Sequence, residues 1–509
     1  MPKLEIKQRP LLTRPESFQD VPSFIAEILA RRGVESQQEL ELKLKYLLAP
    51  SMKGLPEAIQ LIDAAIDAGQ KIVIVGDYDA DGATSTALML LALRDMGADV
   101  NYLVPDRFKY GYGLTPAIAD LAFASFTPDL LITVDNGISS HDGVKQAQDH
   151  GMQVIITDHH LTTKPTPAAE AVVNPNQLGC EFPSKALAGV GVAFYVLANL
   201  STHRKKLGKS STVITNYLDL VALGTYADVA SLDYNNRILV DAGLKRIQQH
   251  LCRPGISALL EIAGRDAATL KAQDLGFVLG PRINAAGRME TMDIGIECLL
   301  AKDLATAYPL AEQLNQLNVE RRQVEGKIKQ EALAELEKIQ LDEMELPAAL
   351  IMFEQHWHQG VIGIVAGRLK EQFHRPSIVF AADADGIHIK GSARSIEGIH
   401  IRDAIERVAE QNPHIVSHFG GHAAAAGLTI KKAHFAEFKQ TFEQLIGSMD
   451  ESLFTATLWT DGELPASAFQ IDTVDLLHNL SPWGQKFPQP IFEGIFKVLD
   501  YRWLKEVHL

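Results

Sequence analysis

Asp77, Asp79 and Asp81 stand at alternate positions in Asp77-Tyr78-Asp79-Ala80-Asp81-Gly82, directly after the apolar run Ile72-Val73-Ile74-Val75. Three carboxylates at the mouth of a buried strand repel one another unless a cation lies between them, so the pattern reads as a cradle for a divalent metal. Two more apolar runs end in similar chemistry: Leu130–Val134 leads into Asp135-Asn136-Gly137, and Val154–Thr157 into Asp158-His159-His160. The carboxyl ends of strands in an open α/β sheet share one edge, where ligands bind. Three acidic strand ends therefore predict one shared metal site. Asp228 is a further acid, although an aspartate between two apolar helices also suits a cap.

An EF-hand loop begins in the same way, but it requires a helix before the loop and a bidentate acid at loop position 12. Here a strand precedes, and that position is Leu88. Hard oxygen donors with an imidazole suit Mn²⁺ or Mg²⁺. Adjacent side chains in a loop diverge, so one of His159 and His160 is expected on the metal and the other toward substrate. Several carboxylates can hold two ions, an arrangement that activates water and stabilises the leaving oxygen of a phosphoester. The chain contains no P-loop, G-x-S-x-G, HExxH or paired GxGxxG that would compete, and metal-dependent phosphoester hydrolysis follows.

The elements that must position these residues alternate from about residue 55. The pattern predicts helix 56–68, strand 71–76, helix 83–96, strand 99–104, helix 115–125, strand 130–135, helix 141–150 and strands 153–158 and 171–174. This rhythm implies an α/β fold with a mainly parallel, doubly wound sheet. Residues 1–50 read as a helical preface, with helical spacing at 24–30 and 40–48. Residues 51–300 form the candidate catalytic domain, mostly helical after 184. A long helix over 301–345 joins it to a smaller α/β lobe, 346–450, with strands at 348–353, 377–380 and 386–392 and a helix over 400–411. A β-rich tail follows over 451–509.

The second lobe is expected to handle substrate. Ser392 and Arg394, within Lys390-Gly391-Ser392-Ala393-Arg394-Ser395, suit a phosphate. Gly420-Gly421-His422 offers backbone N–H groups to an anion, or else turns into an alanine-rich helix over 423–426. Arg107, and Arg282 with Asn284, lie in glycine-punctuated loops that suit a polyanion channel or, equally, salt bridges.

The 509 residues imply three or four domains. A balance of 48 basic to 63 acidic residues gives a net charge of −15, so any nucleic-acid grip must be local. Three cysteines without CxxC spacing exclude a zinc-thiolate cluster and a disulfide framework. No run is apolar enough to span a bilayer and no secretory h-region opens the chain, so a cytoplasmic protein without a membrane partner is expected.

The acidic motifs, with Leu223–Ala230 around Asp228, resemble those of the DHH phosphoesterase superfamily, and Gly420-Gly421-His422 with Ala426-Gly427 resembles its DHHA1 domain. Leu187–Ala193, Gly280–Ala285 and Trp357–Gly363 narrow the resemblance to the RecJ family of single-strand-specific DNA exonucleases. The resemblance implies 5′→3′ release of mononucleotides from single-stranded DNA in recombination and repair, with two Mn²⁺ or Mg²⁺ ions. It implies Asp77, Asp79, Asp81, Asp135, His159 and Asp228 as metal ligands, and His160, Asp158 and Asp79 as catalytic residues. Arg107, Arg282, Asn284, Ser392, Arg394, Gly420, Gly421 and His422 would hold DNA. A monomer that works with a helicase and a single-strand-binding protein is implied as well. The tail, through Pro482–Pro490, resembles the start of an OB-fold that family members continue well past the equivalent of Leu509, so a truncated OB-fold with an unpaired edge is expected. The alternatives are a DHH phosphodiesterase of oligo- or cyclic dinucleotides, disfavoured by length and tail, and an inactive replication scaffold, disfavoured by the complete acid set.

Overall fold

The computed structural model describes residues 4–19, 21–162, 164–343 and 346–500, without the side chains of Ser17, Arg107, Phe108 and residues 338–343. Strand β1 (Leu4–Gln8) lies apart from the first main sheet. That sheet is built from β2 (Lys71–Val75), β3 (Asp99–Leu103), β4 (Leu130–Val134), β5 (Gln153–Thr157) and β6 (Ala171–Val173). The order is β3-β2-β4-β5-β6, and every pairing is parallel. Side chains alternate across it. Ile72 and Ile74 face the core that holds Leu88, Met89 and Leu90, while Val73 and Val75 join Ile118, Ala122 and Val144 on the other face. With both faces covered, β2 needs an unbroken apolar run. After β3 the chain returns past β2 to β4, so the strand order reverses between β2 and β4, where such sheets open a ligand crevice.

The helix after β2 starts earlier than residue 83, running from Ala80 to Asp95. Asp79 is its N-cap and accepts from the N–H groups of Asp81 and Gly82 at 2.9 and 3.0 Å. That cap draws Asp81 out of the loop and into the first helical turn.

The helix Leu304–Glu343 joins the two lobes. Its first half enters the first core through Ala307, Ala311, Leu314 and Leu317. Its second half packs Ile328, Ala332 and Leu336 against the second sheet. Each such buried leucine or isoleucine contributes about 1.5–3 kcal/mol, so the connector is anchored at both ends.

The second sheet comprises β7 (Leu350–Phe353), β8 (Ser377–Ala382), β9 (His388–Arg394), β10 (Val416–Gly421) and β11 (Ala425–Lys431), in the order β10-β11-β9-β8-β7. Only β7 and β8 run parallel. The alanines after His422 form no helix. Ala425 and Ala426 open β11 and pair with Arg394 and Ala393 of β9, so an antiparallel ladder takes their backbone bonds.

Residues 40–48 also form no α-helix. The chain there makes two short 3-10 turns, Gln37–Leu40 and Leu44–Tyr46. The Tyr234 hydroxyl donates to the carbonyls of Gln38 and Glu41, and Asn235 accepts from the Leu48 N–H. These outside partners replace helical ones in a segment too short to hold a helix alone. In the tail, strand β12 (Ala456–Thr460) pairs in parallel with β1 in a two-stranded sheet. A helix over Ile471–Asn479 and largely irregular chain follow, and residues 501–509 lie outside the described residues. Arg32 and Asp461, both side chains fully buried, pair at 2.6 Å and bind this tail to the preface.

Candidate metal centre

Register brings the acids together. Val75 pairs with Thr133 and Val134 with Thr157, so the loops after β2, β4 and β5 leave the sheet side by side. Asp135 donates its N–H to the Thr157 carbonyl, and Asp158 donates to Val173, which extends the sheet into the site. Asp135 takes a left-handed φ of 61°, a conformation that costs a non-glycine residue energy and recurs at functional sites.

Asp81 is 1% exposed, and its two oxygens accept from the Gly189 and Val190 N–H groups at 2.6 and 2.9 Å. Those amides open the helix Gly189–Lys206, whose N-terminal end favours negative charge. Gly189 is required there, because a Cβ would stand 2.6 Å from the Asp135 Cβ. Asp228 follows the helix Leu218–Ala227 as its C-cap and still reaches the cluster. Three sets of three donors each lie within 4.8 Å of one another: Asp81, His159 and Asp228; Asp77, Asp79 and Asp135; and Asp135, His159 and His160.

These residues fit divalent metal. Asp135 Oδ1 and His159 Nε2 are buried 3.0 Å apart, and neither has a hydrogen-bond partner. Burial, then repulsion from Asp79, pushes Asp81 up to about 7. Burial and then Asp81 drive Asp135 and Asp228 well above the carboxylate range. A cation would satisfy the orphaned atoms and relieve that repulsion. Burial and the adjacent His160 lower His159 to about 4, which keeps it in the neutral form a metal requires.

His160 is built for a different task. Burial opposes its charge, but the hydrogen bond to Asp158 and the nearby acids outweigh it and raise the imidazole to about 9. Its Nδ1 lies 2.7 Å from Asp158 Oδ1, and its ring is one-third exposed. Asp158, fully buried, also accepts from the backbone of Ile138, His159 and His160. Burial alone would raise it, yet His160 holds it below the usual range. Nε2 of His160 lies 3.3 Å from the Tyr112 hydroxyl.

The other expected site residues divide. Asn284 accepts the Ala80 N–H at 2.7 Å, so its carboxamide oxygen holds the acidic loop. Arg282 donates to Asn315 and to the Val278 carbonyl, which turns it toward the long helix. The Arg107 side chain lies outside the described residues. Arg394 bonds Ser392 Oγ and the Ala393 carbonyl, and no carboxylate among the described residues pairs with it. Burial lowers its pKa. A Cβ on Gly363 would stand 2.8 Å from Ser392 Oγ and 3.1 Å from Arg394 Nη2, so this glycine lets the helix Gln359–Phe373 pass beneath both. Gly420, Gly421 and His422 are exposed at the end of the β10–β11 hairpin. Burial, then His160, lowers the His422 pKa, which places it electrostatically within reach of the first lobe. The helix Gly280–Met289 bridges the lobes: Asn284 touches the acidic loop, and Arg288 donates to the Gly360 carbonyl at 3.3 Å.

Sequence reasoning missed Asn174 and Asn176, which donate to the carbonyls of His160 and His159 and fix their loop. The only signal was their position, Asn174-Pro175-Asn176, at the end of β6.

Three family models match: the DHH family N-terminal domain over residues 71–225, the DHHA1 domain over 346–448 and the RecJ OB domain over 460–509. The single-stranded-DNA-specific exonuclease RecJ of Dickeya dadantii is 48% identical, aligned over 99% of this chain and 89% of its own. The Escherichia coli protein of that name is 46% identical, over 100% and 89%. The crystal structure of RecJ in complex with Mn²⁺ from Thermus thermophilus superposes with a TM-score of 0.82 at 31% identity, covering 96% of this chain and 69% of that one.

Proposed function

The chain belongs to the RecJ family of single-stranded-DNA-specific exonucleases, and from that premise we propose that it hydrolyses single-stranded DNA from the 5′ end, releasing mononucleotides in recombination and repair. The observation that carries the reading is that the donor set Asp135, His159 and His160 shares a member with each of the other two sets at one strand edge, while Arg394 of the second lobe pairs with no carboxylate among the described residues. Asp77, Asp79, Asp81, Asp135, His159 and Asp228 would hold Mn²⁺ or Mg²⁺. When bound, such ions polarise the phosphodiester and lower the pKa of attacking water.

The chain's own residues supply orientation and charge. Asp158 fixes the His160 tautomer with a proton on Nδ1, leaving Nε2 to carry a proton toward a phosphoryl oxygen at the cleft. As an imidazolium, His160 stabilises negative charge that develops there. Ser392 and Arg394 grip a phosphate of the 5′-terminal nucleotide, and the Gly420–His422 turn closes on the strand from the same side. The stacking of Tyr112 edge-on against both Tyr78 and His160 narrows the entrance beside them. A helicase or a single-strand-binding protein would supply and present the strand.

The test is digestion of 5′- and 3′-labelled single-stranded DNA with Mn²⁺, beside a duplex control and Asp79→Ala. The 5′ label is expected to leave first as mononucleotide, with duplex and variant inert. Release by the variant, or faster turnover of dinucleotides than of long strands, would overturn the reading.

A further inference from the structure

A second cluster of metal-binding side chains stands on the surface of the second lobe, outside the acid-rich centre. His414 lies in the turn before β10, while His434 and Glu437 occupy the N-cap and first turn of the helix Phe435–Gly447. His414 Nε2 is 3.0 and 3.2 Å from the two Glu437 oxygens. His434 Nδ1 is 3.5 Å from Glu437 Oε2. The imidazoles meet edge to face with centroids 5.3 Å apart, and one donor atom from each residue lies within 4.8 Å of the other two.

Two features distinguish the cluster from an ordinary surface ion pair. Among the described residues no lysine or arginine pairs with Glu437, so one carboxylate faces two imidazoles. The donors are also held in place. His434 and Glu437 share a helix face at i,i+3, that helix is anchored by the fully buried Phe438 and Phe442, and Ile415 beside His414 is buried too.

We propose that His414, His434 and Glu437 form a zinc site. Two neutral imidazoles and one carboxylate are the protein ligands of an open tetrahedral Zn²⁺ centre, with solvent in the fourth position. The nitrogen donors favour zinc over the Mn²⁺ or Mg²⁺ suited to the carboxylate-rich centre. The ion ties the turn before β10 to the helix Phe435–Gly447, bracing the strand whose far end carries Gly420 and Gly421.

The test uses the full chain with Asp135→Asn, which weakens the catalytic centre, in excess Mg²⁺. Co²⁺ is titrated in visible light and then displaced by Zn²⁺. Tetrahedral Co²⁺ bands that saturate and vanish with Zn²⁺ are expected. In the same background, His414→Ala or His434→Ala weakens binding at least about tenfold. Zn²⁺ raises the Tm of the parent and not of His434→Ala. In an otherwise unaltered chain, His414→Ala leaves Mn²⁺-dependent DNA degradation unchanged. Should an alanine variant melt early without metal, His414→Gln and His434→Gln replace it. Bands that persist in these variants, or no saturable Zn²⁺ binding by the parent, overturn the proposal.

Discussion

The first lobe gathers aspartates at the ends of β2, β4 and β5 with too little positive charge to balance them, while the second lobe holds a half-buried Arg394 that pairs with no carboxylate among the described residues. Each site lacks the charge that the other holds, yet they do not neutralise each other. The difference lies in how each is built. A parallel sheet delivers several acids to one point, where backbone amides at a helix N-terminus also favour anions, so the site can be completed by a small cation. The second site offers a hydroxyl and one planar cation on an antiparallel strand, a geometry suited to a larger anion such as phosphate. In the proposed reading, a substrate phosphate together with metal ions would join the two half-sites.

The largest effect that would test this contrast is loss of the cation side. Asp135→Asn is expected to cut single-strand degradation by more than about 10²–10³-fold, on the scale of removing one electrostatic stabiliser. It should also raise the Tm of the chelated protein, because a buried, self-repelling carboxylate is gone. A lower Tm in chelator would break the argument that repulsion is stored there. Mn²⁺ should raise the wild-type Tm, with about 2.7 kcal/mol of stabilisation at a hundredfold excess over Kd, and should leave the variant unmoved.

Asp158→Asn comes next. It removes the partner of His160 Nδ1 and should slow degradation by about 10–100-fold. Calorimetry should show Mn²⁺ affinity nearly unchanged, since Asp158 spends its oxygens on His160 and on backbone amides. A collapse of Mn²⁺ binding would assign Asp158 to the metal instead.

Arg394→Ala tests the other half. Loss of a charge-assisted hydrogen bond worth about 1.5–3 kcal/mol predicts a rise in KM of roughly 10–100-fold on 5′-phosphorylated strands. Thermal stability should hold or improve, because a half-buried cation with no carboxylate partner among the described residues disappears. Equal loss on strands with and without the terminal phosphate would separate Arg394 from that group. The smallest effect belongs to Gly363→Ala, which crowds Ser392 and Arg394 by a few tenths of an ångström and should raise KM about two- to fivefold, within a cost of roughly 1 kcal/mol. A change confined to kcat would place the disturbance elsewhere.

The two halves were unequally legible in the chain. The acids announce themselves, since Asp77 to Asp81, Asp135 and Asp158-His159-His160 each follow an apolar run directly, and local pattern alone sets the strand and its end. The basic half is scattered. Arg282 and Asn284 look alike in sequence as polar residues among glycines, yet one turns to the long helix and the other caps the acidic loop. The alanine run after His422 suits a helix by propensity and becomes a strand because β9 offers a ladder. Residues 40–48 carry helical spacing but meet Tyr234 and Asn235 first.

What the sequence determined by itself is the alternation of apolar runs and acids, and with it a parallel sheet that ends in a metal-binding edge, because periodicity and burial are local properties. The tertiary structure decided which histidine meets Asp135 and which is held by Asp158. It also decided that Gly189 and Val190, more than a hundred residues away in sequence, secure Asp81, and that Arg394 meets no carboxylate among the described residues. Those outcomes depend on register and on helix ends brought together across the fold, where partners compete for the same few hydrogen bonds.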